Sequence, residues 1–310
     1  DMDRESQLGY TTALASLGEL QLVMGNTEAA WAAYNSRAIF AQARVEADAT
    51  DVEWVRELIW SMTDLGSVLQ QQGYLKEAET AYSSALEFSQ WQAGERPDDV
   101  DLRRDRQVAM NRVGSIRLAR RNAEGALEAH VEALGIAQAL LDMDPAYLTY
   151  RMDISYTQER IGDAKLDLGD KEGAKAAFEV ALEISEALVA EYPGDTVLRR
   201  NLSVSYERIG DVLVDEGDYP AALDTYAKAL NIREELAALD PDNKPRQRDL
   251  AINFDRIGDV QRYLDDMDSA LLSYQAALSI RQNLAALDPT NMVWQQDLLV
   301  SLDRMGDIHF

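Results

Sequence analysis

A repeat of 48 residues constrains the fold of this chain more than any other feature. Seven glycines are spaced exactly one repeat apart, at Gly18, Gly66, Gly114, Gly162, Gly210, Gly258 and Gly306. A nearly all-aromatic series keeps the same spacing, at Tyr34, Tyr82, His130, Phe178, Tyr226 and Tyr274. Because the spacing never changes, we interpret residues 1–310 as one array and not as two domains. Its units are 1–48, 49–96, 97–144, 145–192, 193–240 and 241–288, with a half unit at 289–310.

Each unit carries two helical patterns. In residues 193–240, Leu198, Leu202 and Tyr206 recur at four-residue steps, which is typical of an amphipathic helix. A second apolar face follows, beginning with Ala222 and Leu223. No stretch alternates as a strand would. The sequence therefore predicts an all-α superhelix of thirteen helices, paired through residue 288, with 292–310 as the unpaired thirteenth.

Residues that are typical of helix ends predict where the helices begin and end. The expected N-caps of the first helices are Asp51, Asp99, Asp195, Asn243 and Asn291. Glycines that can take a positive φ follow the first helices, at Gly25, Gly73, Gly169 and Gly217. Asp-Pro pairs, as at Asp240-Pro241, end the second helices because the residue before proline disfavours the α conformation.

The recurring small residues predict close helix packing. Glycine inside a helix costs about 1 kcal/mol relative to alanine, so its recurrence needs a compensating contact. We expect the glycines to face an alanine series, Ala30 to Ala270, with the aromatic series filling the space between units. His130 occupies the aromatic position, and this favours a role in the core.

Composition excludes several classes of function. The net charge of −25 opposes binding to nucleic acid and to anionic membranes. With no cysteine and only His130 and His309, the chain lacks the usual ligands for metal sites and groups for acid–base chemistry. No phosphate-binding loop, dinucleotide motif or nucleophile motif occurs. We expect a cytoplasmic, non-catalytic protein without cofactor or metal.

These motifs resemble the tetratricopeptide repeat. Its Leu-Gly pair, the alanine twelve residues later and the aromatic residue four beyond that match Ile209-Gly210, Ala222 and Tyr226. The unit here is longer than the family's, which has about 34 residues. It looks like a long-helix variant found in bacterial multidomain proteins. Such arrays are often fused to an effector, such as a protease, an ATPase or a kinase. Since residues 289–310 supply only a first helix, we expect the sequence to be part of a larger polypeptide.

The resemblance implies that the first helices line a concave surface that binds a protein or peptide. Residues at steps of four, three and four share one face of these helices. Three kinds of rows result. The basic row is Arg56, Arg104, Arg200 and Arg248; the apolar row is Trp60, Val108, Tyr156, Val204, Ile252 and Val300; the acidic rows are Glu159, Asp163, Asp167, Glu207, Asp211, Asp215, Asp255 and Asp259. Together they suggest a groove whose partner carries apolar and basic residues.

Several alternatives stay open at the level of sequence. Arg160, Arg208, Arg256 and Arg304 directly follow acids, so the charged rows could form an ion ladder between units, with or without a groove, or could simply be solvated. Seven arginines between residues 103 and 121 could form an anion-binding patch or pair with acidic neighbouring units. The whole array could also be a scaffold for self-assembly, without a peptide groove.

Overall fold

Thirteen α-helices and no strand form in the residues that the computed structural model describes, which are 2–287, 289 and 291–308. The helices are α1 (Arg4–Val23), α2 (Thr27–Ala47), α3 (Val52–Gln71), α4 (Leu75–Glu95), α5 (Val100–Ala119), α6 (Ala123–Met143), α7 (Leu148–Asp167), α8 (Lys171–Glu191), α9 (Thr196–Glu216), α10 (Tyr219–Leu239), α11 (Lys244–Tyr263), α12 (Met267–Leu287) and α13 (Met292–Ile308). The predicted all-α fold and the predicted number of helices are therefore confirmed.

The chain divides into two compact units, residues 1–174 and 175–310. In the first unit, each helix from α1 to α7 packs against the next in sequence, and the odd-numbered helices also contact one another. In the second unit, the helices from α9 to α13 pack in the same consecutive manner. The assignment of the whole chain to one domain stays a prediction.

The predicted caps are confirmed. The side chains of Asp51, Asp99 and Asp195 each accept hydrogen bonds from two backbone N–H groups in the first turn of the following helix. Asn243 and Asn291 also accept such bonds, at α11 and α13. In the fourth repeat Tyr147 occupies this position and makes no side-chain cap bond, as its side chain predicts.

Four of the six turns within repeats use glycine in the left-handed conformation. Gly25, Gly73, Gly169 and Gly217 have φ between 79° and 83°. The other two turns place Arg121 and Asp265 there, with φ of 64° and 61°. The same turn geometry is therefore kept even where the sequence supplies a residue with a Cβ.

Five of the recurring glycines face the aromatic ring of their own repeat, and here our prediction was wrong in detail; the five are Gly18, Gly66, Gly114, Gly210 and Gly258. A Cβ added at Gly210 would lie 2.3 Å from the Tyr226 ring, and one added at Gly66 would lie 2.6 Å from the Tyr82 ring. The nearest atoms belong to the ring and not to the alanine that we expected opposite each glycine. At these positions the aromatic side chain thus packs against the bare backbone of the first helix within its own repeat.

The alanine and aromatic series form the core, as predicted. Ala30, Ala78, Ala126, Ala174, Ala222 and Ala270 are fully buried. Tyr82, Tyr226 and Tyr274 are at most 2 % exposed. Along the described part of the chain, no helix has the length and apolar character needed to cross a bilayer.

The end of the chain can be compared with the prediction only in part. Met305, on α13, is half-buried. The side chain of Ile308 and the residues His309 and Phe310 lie outside the described part of the structure, so our expectations for them are untested.

Candidate functional site

The basic row of the first helices is engaged in ion pairs between successive repeats. Arg56 Nε lies 2.7 Å from Asp105 Oδ2, and Arg104 Nε lies 2.7 Å from Asp153 Oδ2. In the second unit, Arg200 pairs with Asp249 at 2.8 Å in the same way. Arg248 pairs with Asp297 at 2.5 Å. Each arginine thus binds the aspartate 49 residues later, so we name these contacts the arginine ladder.

The acidic partners of this ladder were missed by the sequence analysis. Asp105, Asp153, Asp249 and Asp297 recur at multiples of the 48-residue spacing. The signal that could have found them is therefore the repeat itself: each aspartate follows the arginine position of its unit, which Arg104 and Arg248 occupy in two cases and Met152 and Gln296 in the other two. Asp105 also accepts a hydrogen bond from Trp60 Nε1 at 3.1 Å, which fixes the orientation of the indole.

The acidic rows of the second unit contact arginines of the protein itself. Glu207 pairs with Arg233 and with Arg256, whose Nε lies 2.9 Å from Oε1. Asp211 pairs with Arg256 and accepts a hydrogen bond from Tyr226 Oη at 2.5 Å. These carboxylates are therefore neutralised within the unit, as the ion-ladder alternative requires.

The next repeat builds the same cluster. Asp255 Oδ2 lies 2.6 Å from Arg281 Nη1, and Asp259 pairs with Arg304. Tyr274 Oη donates to Asp259 Oδ1 at 2.6 Å. The alternative that the charged rows are simply solvated is therefore wrong for four acids, which are Glu207, Asp211, Asp255 and Asp259.

Two buried arginines on second helices complete these clusters and were not predicted. Arg233 and Arg281 are each 4 % exposed. The equivalent positions in earlier repeats hold Ala41, Ser89, Ala137 and Ser185. The signal in the sequence was an arginine at a core position that the earlier repeats fill with alanine or serine. A buried arginine at such a position indicates that acidic residues lie opposite it.

The pKa values reflect both burial and these charges. Burial raises the pKa of Glu207, but the charges of Arg233 and Arg256 outweigh it and hold the pKa below the ordinary value. Burial together with the Asp259 carboxylate raises the pKa of Tyr274 to about 12. Tyr274 therefore remains a hydrogen-bond donor throughout the neutral range.

In the first unit, the predicted site residues on α7 range from the exposed Tyr156 to Glu159, which is only 7 % exposed. Tyr156 is 39 % exposed, and the Arg160 guanidinium lies 5.3 Å from its ring centroid. Arg160 in turn pairs with Asp163 at 3.0 Å and lies 3.7 Å from Glu159, both on its own helix. Asp167 is exposed.

The apolar row borders a cleft of about 230 Å³. Trp60 on α3, Val108 on α5 and Tyr156 on α7 contribute its apolar walls. In the second unit, Val204 and Ile252 of the same row are half-buried, and Val300 is 41 % exposed. The row is thus accessible in both units.

His130 belongs to the core, as predicted. It is fully buried, packs against Gly114, and its Nδ1 lies 2.8 Å from Asn111 Oδ1. Burial and the nearby charge of Arg160 lower its pKa to about 3. His130 therefore remains neutral in the folded protein at all ordinary pH values.

This burial predicts an acid-sensitive stability. The unfolded chain gains a proton on this histidine below about pH 6.5 and the folded chain does not, so the stability falls as pH decreases from 7 towards 4. Between pH 7 and pH 5 the wild type should lose about 2 kcal/mol more than His130→Phe, because phenylalanine carries no proton there. Urea unfolding at the two pH values measures the difference, and equal losses in both proteins would contradict it.

The described residues contain no cluster of three or more histidine, aspartate or glutamate side chains that could hold a metal ion. Their chemistry is that of ion pairs, apolar contact and hydrogen bonding.

Comparisons with known proteins agree with this architecture. The tetratricopeptide repeat profile matches residues 157–188 and 204–236. Among curated proteins, no sequence matches the chain.

Solved structures of the same fold are distant in sequence. BtubC (BKLC) from P. vanneervenii is similar, with a TM-score of 0.63 and 19 % identity, over 83 % of this chain and 92 % of that one. The apo form of RapI has a TM-score of 0.56 and 14 % identity, over 95 % and 94 %. A Rap protein complexed with Competence and Sporulation Factor has a TM-score of 0.54 and 15 % identity, over 94 % and 74 %. Two segments of the chain thus match the tetratricopeptide repeat, and its helices, packed consecutively within each unit, have the all-α fold of tetratricopeptide-like solenoids.

Proposed function

We propose that this chain is a non-catalytic interaction array that binds a peptide or protein partner on the face of its first helices. The observation that carries the proposal is the accessible apolar row beside the cleft, above all Tyr156, which is 39 % exposed. Exposed aromatic side chains next to a pocket are typical anchors of binding energy in interfaces. The surrounding ion pairs hold the face in a fixed shape, which reduces the entropy cost of binding.

The similar fold of a Rap protein supports the proposal in a general way. That protein was crystallised in complex with Competence and Sporulation Factor, so the fold is compatible with a bound factor. We extend the interaction role to this chain and infer that the array acts as a partner-binding or regulatory region. We also propose that it belongs to a larger bacterial cytoplasmic protein, in which a protease, ATPase or kinase could be the effector.

The charges determine where a partner's basic residues can bind. Glu207, Asp211, Asp255 and Asp259 already contact arginines, so a partner would have to displace these pairs. Asp167 and Asp215 are exposed at the C-terminal ends of α7 and α9. We propose that a lysine or arginine of a partner bound to the first unit pairs with Asp167, while an apolar residue of that partner contacts Tyr156.

Selection from a random peptide library displayed on phage tests the proposal. Selected peptides should bind at least tenfold more weakly, a loss of about 1.4 kcal/mol, to Tyr156→Ala. Trp91→Ala is the matched control, since Trp91 is 50 % exposed on the second helix α4. The control should leave affinity unchanged.

Binding that survives Tyr156→Ala and Val204→Ala but is lost in Trp91→Ala would contradict a site on the first helices. A charge test accompanies it: Asp167→Lys should weaken peptides rich in lysine, while Asp211→Lys should chiefly lower the unfolding temperature, because Asp211 holds Arg256 and Tyr226.

The second candidate function is a scaffold for self-assembly. It is favoured by the use of most charged site residues in internal ion pairs. Light scattering across micromolar concentrations separates the two functions. A mass that rises with concentration supports the scaffold, and a constant monomer mass together with peptide binding supports the interaction array.

A further inference from the structure

The turn between α5 and α6 is the only one of the six turns within repeats whose sequence carries a net positive charge. Residues 116–127 hold three arginines and one glutamate, whereas the equivalent residues 212–223 hold three acids and no basic residue. The turns at 20–31, 68–79, 164–175 and 260–271 are neutral or negative. We name the three arginines, Arg117, Arg120 and Arg121, the basic turn.

Most of the seven arginines between residues 103 and 121 have partners within the protein. Arg103 donates to the sulfur of Met143, and Arg112 lines the cleft of the first helices. Among the described residues, the guanidinium of Arg121 makes neither an ion pair nor a hydrogen bond, and the residue is exposed. The other four pair with acids, and they are Arg104, Arg106, Arg117 and Arg120.

The basic turn has fewer acids than cations around it. Arg117 Nε lies 3.9 Å from Glu79 Oε1, and Arg120 pairs with the other oxygen of the same carboxylate. Arg117 also donates to the backbone oxygen of Gly125 at 3.1 Å, which holds it against the turn. One carboxylate therefore serves two guanidinium groups, and Arg121 adds a third positive charge to the surface.

The backbone of Arg121 is strained. Its φ is 64°, in the left-handed region, where four of the five equivalent residues are glycine. The fifth is Asp265, and aspartate adopts this region more readily than arginine does. Strain of this kind is characteristic of positions where a side chain serves a purpose other than folding. No contact of the Arg121 side chain with the described residues offsets it.

The preceding turn adds apolar surface at the same edge. Tyr74 occupies the N-cap position of α4 and is 56 % exposed. The two turns adjoin, because α3 contacts α5 and Glu79 of α4 pairs with Arg120. Residues 65–76 contain no acid and end in Lys76, so that stretch provides no carboxylate for Arg121.

The small extent of the positive surface selects the class of partner. The next turn carries Asp167, Asp170 and Glu172. A nucleic acid has closely spaced phosphates, so it would extend from the basic turn onto these acids and be repelled. A run of two or three carboxylates fits the surface. At physiological ionic strength, charges more than about 8 Å away are largely screened, so the net charge of −25 does not prevent this contact.

We propose that the basic turn and Tyr74 dock a short acidic segment of a protein partner. Carboxylates of the segment pair with Arg121 and Arg120, since arginine binds a carboxylate through two parallel hydrogen bonds. An apolar residue beside these carboxylates packs on Tyr74. The surface lies at the turns and not on the face of the first helices, so the inference goes beyond the proposed function and does not depend on it.

Two labelled peptides test the dependence on charge by fluorescence anisotropy, at an ionic strength of about 0.15 M. The acidic peptide is fluorescein-Gly-Ser-Glu-Asp-Phe-Glu-Asp with an amidated C-terminus. In the neutral peptide, glutamine and asparagine replace the four acids. We expect the acidic peptide to bind at least tenfold more tightly, and at least threefold more weakly to Tyr74→Ala than to the wild type.

Arg121→Gly should produce two opposite effects. The unfolding temperature should rise, because glycine adopts a positive φ without strain, and the affinity for the acidic peptide should fall at least fivefold. Asp265→Gly is the matched control, since Asp265 occupies the same turn position with φ of 61°. It should also raise the unfolding temperature and leave the affinity unchanged. A protein that is more stable yet binds more weakly has not lost binding through unfolding.

Other results would overturn the inference. These include equal binding of the two peptides, or an affinity that is unchanged in Arg121→Gly or in Tyr74→Ala. A short oligothymidylate that binds through Arg121 as tightly as the acidic peptide would assign the turn to nucleic acid. A mass in light scattering that rises with concentration in the wild type but not in Arg121→Gly would assign it to a second copy of the chain.

Tyr156→Ala separates this surface from the face of the first helices. The variant should leave the affinity for the acidic peptide unchanged, because Tyr156 lies on α7 and not at the turn. Loss of the acidic peptide in Tyr156→Ala would place its site on the first helices and overturn the inference. Conversely, peptides selected on phage that bind Arg121→Gly normally but are lost in Tyr156→Ala keep the proposed function whatever the result at the turn.

Discussion

Gly210→Leu is expected to lower the free energy of unfolding by about 3 kcal/mol or more. Even a Cβ at this position would lie 2.3 Å from the ring of Tyr226, which is 2 % exposed and cannot move into solvent. The larger side chain would therefore force the first and second helices of the repeat apart. Urea unfolding followed by circular dichroism measures the loss.

A second glycine supplies the matched control. Gly135 lies inside α6, and a Cβ added there would meet nothing within 4 Å. Gly135→Ala should stabilise the protein by up to about 1 kcal/mol, because alanine favours the helix more than glycine does. Unfolding midpoints that shift in the same direction for the two variants would refute the packing role of Gly210.

Arg281→Ala is expected to destabilise the protein by about 3–5 kcal/mol, because it leaves a buried carboxylate without its main partner. The side chains of Arg281 and Asp255 are 5 % and 6 % exposed, and Arg304 lies 3.9 Å from Asp255. Arg281 also donates to Ser301 Oγ at 2.6 Å, so the variant loses two contacts.

A double variant and a surface variant complete this experiment. Arg281→Met combined with Asp255→Leu removes both charges and should recover most of the lost stability. Arg199→Ala breaks a pair with Glu235, which is 53 % exposed, and should cost less than about 1 kcal/mol. A double variant as unstable as Arg281→Ala would show that the arginine acts through something other than the buried charge.

The fold could be predicted from sequence because each local signal agreed with the others. Asp195 before an apolar period and Gly217 after it define the ends of α9 within a residue or two. The repeat then multiplies every such signal, so an error in one unit is corrected by the rest. The packing of glycine against the aromatic ring was harder to predict, since sequence spacing does not say which of two helical neighbours lies opposite the glycine.

The candidate site was harder to predict because charge in a sequence does not reveal its partner. The sequence left open whether Arg200 and Asp211 line a groove, join an ion ladder between units, or do both; in the structure both bind residues of the next repeat. Partners 45 to 49 residues away become neighbours only once the helices stack.

The constant offset of the arginine ladder has a consequence for how such a chain can change length. Arg56 and Arg104 each bind an aspartate 49 residues later, and Asp105 and Asp153 are equivalent in their repeats. Excision of residues 97–144 would bring Arg56 and Asp153 to the same offset, with the same ligating atoms. Genetic gain or loss of whole repeats inside the first unit thus conserves the pairing of charges, whereas a deletion of any other length between a paired arginine and aspartate changes their offset. If the ion pairs of the ladder are to be kept, evolution or an engineer can change the length of the array only by whole repeats.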